Sequence, residues 1–193
     1  MVQIHKIAKG TEKRRLLQNK YENKSERMMV RATKKLLNTS GIKPVKNLNE
    51  SNVQLPGEWY AGLVSTGRQG KMLIHFFHSS TKLSILCPGK SLNKALPVFP
   101  ERLERLLRRL GYSRLIFQFQ VHTKPEIYAT NSRSLLAHMN QMKYAIEYRV
   151  ALAEQDEDIN YSEIEDLLSD MLLSSGGPGK YEKPKDILYG IVD

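Results

Sequence analysis

Gly89-Lys90-Ser91 follows the apolar run Ile85-Leu86-Cys87, and a glycine-lysine-serine step behind a strand is how a phosphate loop ends. Such loops aim backbone N–H groups and a lysine at phosphates. The complete loop needs a glycine five residues before Gly89, where this chain has Ser84, and Pro88 removes a donor. Gly179-Lys180 is followed by Tyr181 instead of a serine or threonine. Neither pair reads as a nucleotide loop. His75 and His78 stand three apart in an apolar stretch, so on a strand they face opposite sides and do not chelate. With Glu58 as the one carboxylate between residues 51 and 100, no metal site and no cofactor is expected there. Cys87 and the serines lack a Gly-x-Ser-x-Gly elbow, which leaves nucleophilic catalysis without a local signature.

Positive charge is the stronger chemical signal. Arg102, Arg105 and Arg109 form an i, i+3, i+7 stripe, with Arg108 and Arg114 close by. Arg14, Arg15, Lys34 and Lys35 add to it, and Trp59, Tyr60 and Tyr112 offer stacking faces. The chain holds 30 Lys+Arg against 20 Asp+Glu, a net charge of +10. That sum hides a polarity: residues 1–150 carry +18 and residues 151–193 carry −8. Nothing resembles a base-reading module, so nucleic acid would be held by backbone charge, with strong salt dependence and little sequence preference. The acidic end either packs as a terminal helix or acts as an arm over the basic surface.

Forty percent apolar residues in 193 are enough for one core domain with extensions. No apolar run approaches the roughly 18 residues of a membrane span, and no secretory signal is visible at Met1 to Lys9. A single cysteine excludes a disulfide framework. These readings place the protein in a reducing cytoplasm, away from membranes.

The expected elements follow from periodicity. Residues 1–27 read as a basic N-terminal extension, residues 28–153 as an α+β core, and residues 154–193 as an acidic helix with a flexible tail. Thr33 to Leu37 forms one or two helical turns, stopped near Gly41 and Pro44, and a polar loop runs to Pro56. Strands at 58–66, 71–77 and 82–87, joined by short turns, predict an antiparallel meander. Leu103, Leu106, Leu107 and Leu110 mark a helix over 100–110, closed by Gly111. Residues 115–121 fit a strand or a helix starting at Ser113, and both readings stand. Glu126 to Thr130 is extended. A helix over 132–153 buries Leu135, Met139, Met142, Ile146 and Val150, and a short one over 161–172 starts at a Ser162–Glu165 capping box. Ile187 to Val192 docks or adds an edge strand. The expectation is an antiparallel sheet of three to five strands with both main helices on one face, plus the acidic C-terminal helix.

Thr33-Lys34-Lys35-Leu36-Leu37, Trp59-Tyr60-Ala61 and Asn131-Ser132-Arg133-Ser134-Leu135-Leu136, with Met139-Asn140 and Ile146-Glu147-Tyr148, carry a resemblance over about residues 29–150. The pattern resembles an uncharacterised bacterial family, a domain of unknown function. It implies a small intracellular α+β domain without assigned activity.

Physically, Asn131 and Ser132 are N-cap candidates, and Arg133 sits in a first turn where a cation opposes the helix dipole. Its partner is an internal carboxylate or an anionic ligand. Asn140, among apolar neighbours, is expected to be buried against a loop backbone. Two functions stand open. The first is a non-enzymatic binding module for a polyanion such as nucleic acid, or for an acidic protein, through Arg102, Arg105 and Arg109. The second is an enzyme on a phosphorylated or otherwise anionic small molecule, with Arg133 as anion binder among Lys34, Lys35, Trp59, Tyr60, Asn131, Ser134 and Asn140.

Overall fold

A computed structural model describes residues 28–46, 57–119, 124–155, 158–175, 177 and 179–192. The N-terminal extension, most of the loop before Gly57, Val121 and His122 lie outside the described residues.

Five strands form one mixed sheet: β1 (Met29–Ala32), β2 (Glu58–Ser65), β3 (Met72–His78), β4 (Ser84–Pro88) and β5 (Glu126–Ala129), in the order β4-β3-β2-β1-β5. The meander is present, with β2–β3 and β3–β4 antiparallel. The sheet as a whole is not antiparallel. β1 runs parallel to both β2 and β5, with Arg31 opposite Tyr60 on one side and Tyr128 on the other. Two four-residue strands paired across long stretches of chain leave no turn signature, which is why local patterning pointed to antiparallel pairing alone.

The helices are α1 (Lys34–Ser40), α2 (Leu92–Ala95), α3 (Phe99–Arg109), α4 (Arg133–Ala151), α5 (Tyr161–Asp170) and α6 (Pro184–Val192). Thr33 caps α1 by accepting from the Leu36 N–H, and Gly41 ends it at φ 65°, the left-handed geometry that glycine tolerates. A two-strand ribbon, β6 (Leu173–Ser174) and β7 (Tyr181–Glu182), precedes α6. The closing segment is thus a helix, and Leu188 is buried in the core. Residues 113–119 are turn and 3-10 helix: Leu115, Ile116 and Phe119 are buried, Phe117 is exposed, and the Phe119 N–H donates to the Leu115 carbonyl.

The two main helices cover opposite faces of the sheet. Trp59, Ala61, Ile74, Phe76, Ile85 and Cys87 pack with α3 through Leu103, Leu106 and Leu107. Their alternate neighbours Tyr60, Val64, Leu73, Phe77 and Leu86 pack with Met142, Ile146 and Val150 of α4 and with Ile164 and Leu168 of α5. Strands buried on both sides read as near-continuous apolar runs, so alternation could not assign α3 and α4 to faces. The cap of α5 is Asn160, whose Oδ1 accepts from the Glu163 N–H, and not the expected Ser162.

Among the described residues, one ion pair has both side chains almost wholly buried. Arg31 (1% exposed) donates through Nη2 to Glu58 Oε1 (2% exposed) at 2.7 Å. Burial opposes the guanidinium charge, but the Glu58 carboxylate, with Tyr60 and Tyr128, raises its pKa above the ordinary value. Losing one member of such a pair strands the other charge. Arg31→Met is therefore expected to cost about 3–5 kcal/mol in urea unfolding. Arg31→Met with Glu58→Leu should recover most of that loss, and a double variant as unstable as the single one would contradict this account.

Candidate anion-binding cavity

The β2–β3 turn, the end of β4, α2 and the approach to α5 surround a cavity of about 480 Å³. Lys71, Lys90 and Lys94 line it with Thr39, Thr66, Ser91 and Tyr161, and among the described residues no carboxylate lines it. Local bonds shape the walls. Thr66 Oγ1 accepts from the Arg68 N–H at 3.3 Å and donates to the Lys71 carbonyl at 3.0 Å, which closes the turn. Gly89 donates its N–H to the Met72 carbonyl at 2.9 Å and adopts φ 113°, so the chain leaves β4 sharply toward Lys90. Ser91 starts α2 without a side-chain cap bond. Lys90 and Lys94 pair with no carboxylate among the described residues. The Lys90 and Lys94 ammonium groups and several hydroxyls around one space can donate to an anion, phosphate above all.

The residues expected to bind ligands are dispersed. Lys34 and Lys35 are exposed on α1, and Arg133 and Ser134 are exposed in the first turn of α4. Tyr60 donates its hydroxyl to Asn131 Oδ1 at 2.5 Å, and burial followed by the Glu58 charge pushes that phenol up to about 12. Ser132, as foreseen, caps α4. The Thr33 N–H meets the Ala61 carbonyl and the Thr130 N–H the Ala32 carbonyl, so both helix starts leave the same end of adjacent strands. Trp59 is not among them. It is 0% exposed, in ring contact with His78 and Phe99, and unavailable for stacking on a ligand. Asn140 is exposed instead of buried. Ser134 opens on a second cavity of about 700 Å³ with Lys82 and His138.

The arginine stripe is already engaged. Glu165 of α5, 1% exposed, accepts from Arg102 at 2.9 Å, from Arg109 at 3.0 Å and from the Leu86 N–H at 3.0 Å. Arg109 also meets Asp166 at 3.0 Å, and Arg105 pairs with Glu101 within α3. The acidic helix therefore packs on the core and pairs with Arg102 and Arg109 of the basic stripe.

Among the described residues, no group of three or more His, Cys, Asp and Glu is placed to hold a metal ion, and no helix is long and apolar enough to cross a membrane. His75 and His78 do face opposite sides: His75 bonds Ser84 Oγ at 2.9 Å on the α4 side, and His78 packs on Trp59. Of the cavity residues, sequence reading touched Lys90 and Ser91 and set them aside for want of a complete loop. Lys71, Lys94 and Tyr161 carry no local signal, because folding alone brings their segments together.

The family model of DUF6933, a domain of unknown function, matches residues 29–187, most of the chain, which therefore belongs to that family. No curated protein and no solved structure matches it.

Glu165→Ala leaves Arg102, Arg109 and an edge-strand N–H without their shared acceptor and should cost about 3–5 kcal/mol in chemical unfolding. A loss below about 1 kcal/mol would mean that solvent replaces it freely. Burial pushes the His75 imidazole down to about 3, so the folded state keeps it neutral. Between pH 6.5 and 3 the unfolded chain binds a proton there that the folded chain does not. Stability should fall as pH drops through that window, by about 1.4 kcal/mol per pH unit from this group. His75→Gln should remove that share of the slope, as measured by urea midpoints across pH.

Proposed function

We propose that this DUF6933 member is a binding module for a phosphate-bearing ligand, held in the cavity lined by Lys71, Lys90 and Lys94. The observation that carries the reading is the convergence of three lysines on one cavity that no carboxylate lines among the described residues. The net charge of +10 adds a long-range attraction for anions. The cavity's size suits a compact phosphate group, such as that of a nucleotide, and its open side also admits the terminal phosphate of a nucleic acid. The arginines of α3 are weaker candidates, because Glu165, Asp166 and Glu101 already occupy them. A reducing cytoplasm, where phosphorylated metabolites and nucleic acids are abundant, is the matching compartment.

A second reading has its own observation. Arg133 and Ser134, exposed at the start of α4, stand near the Tyr60–Asn131 bond, a polar end of the sheet where an anionic small molecule would be taken by an enzyme.

Calorimetry with inorganic pyrophosphate, ATP and a single-stranded oligonucleotide at low salt separates these. Binding of at least one is expected, with Lys90→Ala and Lys94→Ala each weakening it about tenfold or more. Preference for the oligonucleotide, with a steep salt slope, would identify a nucleic acid as the source of the phosphate. Loss on Arg133→Ala with the lysine variants unaffected would move the site to α4. No binding of any of the three at low salt would refute the proposal.

A further inference from the structure

The outer face of α4 is bare of charge. Every exposed position from 137 to 152 carries Ala, Asn, Gln, Tyr or Leu, on a chain in which 26% of residues are charged. Tyr144, Tyr148 and Leu152 fall at i, i+4 and i+8, a single stripe, and are 74%, 65% and 58% exposed. The opposite side of the same helix, with Met139, Met142, Ile146 and Val150, is buried against the sheet. A stripe of exposed Tyr144, Tyr148 and Leu152 opposite a buried face is an apolar surface left to solvent, and tyrosine is enriched where proteins meet.

We infer that this face is a homodimer interface, occupied by α4 of a second copy packed antiparallel about a two-fold axis. The charges beside the stripe select that occupant. Lys143 and Glu147 lie on the same flank, 3.5 Å apart. In an antiparallel two-fold pair, like flanks meet with their directions reversed, so Lys143 of one copy faces Glu147 of the other, twice. The same operation sets Tyr144 beside Tyr148 of the second copy, closing the stripe on itself. The other flank is taken within the chain, where Arg149 reaches Glu163 of α5 at 3.6 Å. A parallel arrangement would instead oppose the Lys143–Glu147 flank to the flank that α5 already engages. Repulsion between two copies of net charge +10 makes the contact tighter as salt screens it.

Sedimentation velocity and light scattering on the full chain test this at physiological salt and at micromolar to submillimolar concentration. A dimer is expected. Tyr144→Glu with Tyr148→Glu should give a monomer with unchanged far-UV circular dichroism, since both side chains are exposed. Lys143→Glu alone sets like charges face to face and should weaken the dimer about tenfold. Adding Glu147→Lys should restore it, which a merely sticky tyrosine patch would not do. A monomer throughout the range overturns the inference, as does a dimer indifferent to these substitutions. A chain that dimerises only after deletion of residues 1–27 would show that its own segment occupies the face, and that too overturns it.

Discussion

A buried guanidinium–carboxylate pair sets the register of the two parallel strand pairings. Arg31 lies on β1, between β2 and β5, and its side chain reaches Glu58 at the start of β2 and the Ala129 carbonyl at the end of β5. Its carbon also lies 5.4 Å from the Tyr128 ring centroid. A one-residue slip of β1 would turn Arg31 onto the face that buries Trp59 and Phe76, among apolar side chains. Hydrophobic burial drives the sheet together, but it is a weak judge of register where both faces are apolar. The buried charge is a strict one. From that register follow the positions of Thr33 and Ser132, and hence of the starts of α1 and α4.

The far edge of the sheet is governed by a second carboxylate. β4 is an edge strand, and an open row of N–H groups there invites association with other strands. α5 covers it, and Glu165 accepts the Leu86 N–H while drawing Arg102 and Arg109 of α3 onto the same two oxygens. Ile164 and Leu168 supply the burial, and the charges orient it. The acidic end of the chain is thereby a structural part of the domain, consistent with a family match that runs to residue 187.

This arrangement redistributes the positive charge that dominates the composition. Arg102 and Arg109 are paired on the α3–α5 side, whereas Lys90 and Lys94 at the cavity by the β2–β3 turn pair with no carboxylate among the described residues. The uncharged outer face of α4 is the other departure from an ordinary solvated surface, and it lies on the opposite side of the helix from the sheet.

Local pattern determined much of this. The β2–β3–β4 meander, the leucine face of α3, the buried Met139, Met142, Ile146 and Val150 of α4, and the caps at Thr33 and Ser132 are all written in residues a few positions apart, where helix and turn chemistry acts. The family motif elements also lay in the open. Tertiary structure decided the rest, for one physical reason: the deciding partners are distant in sequence. Parallel pairing of β1 with β2 and β5 is a long-range event without a turn to announce it. The faces taken by α3 and α4 depend on which side each crossover passes, not on the helix's own amphipathicity. Trp59 looked like a stacking residue because aromatic type does not encode burial, and Asn140 looked buried because its neighbours are apolar. Lys71, Lys90 and Lys94 come to line one cavity only when a turn and a strand end close on the same space, a proximity that spacing along the chain does not contain.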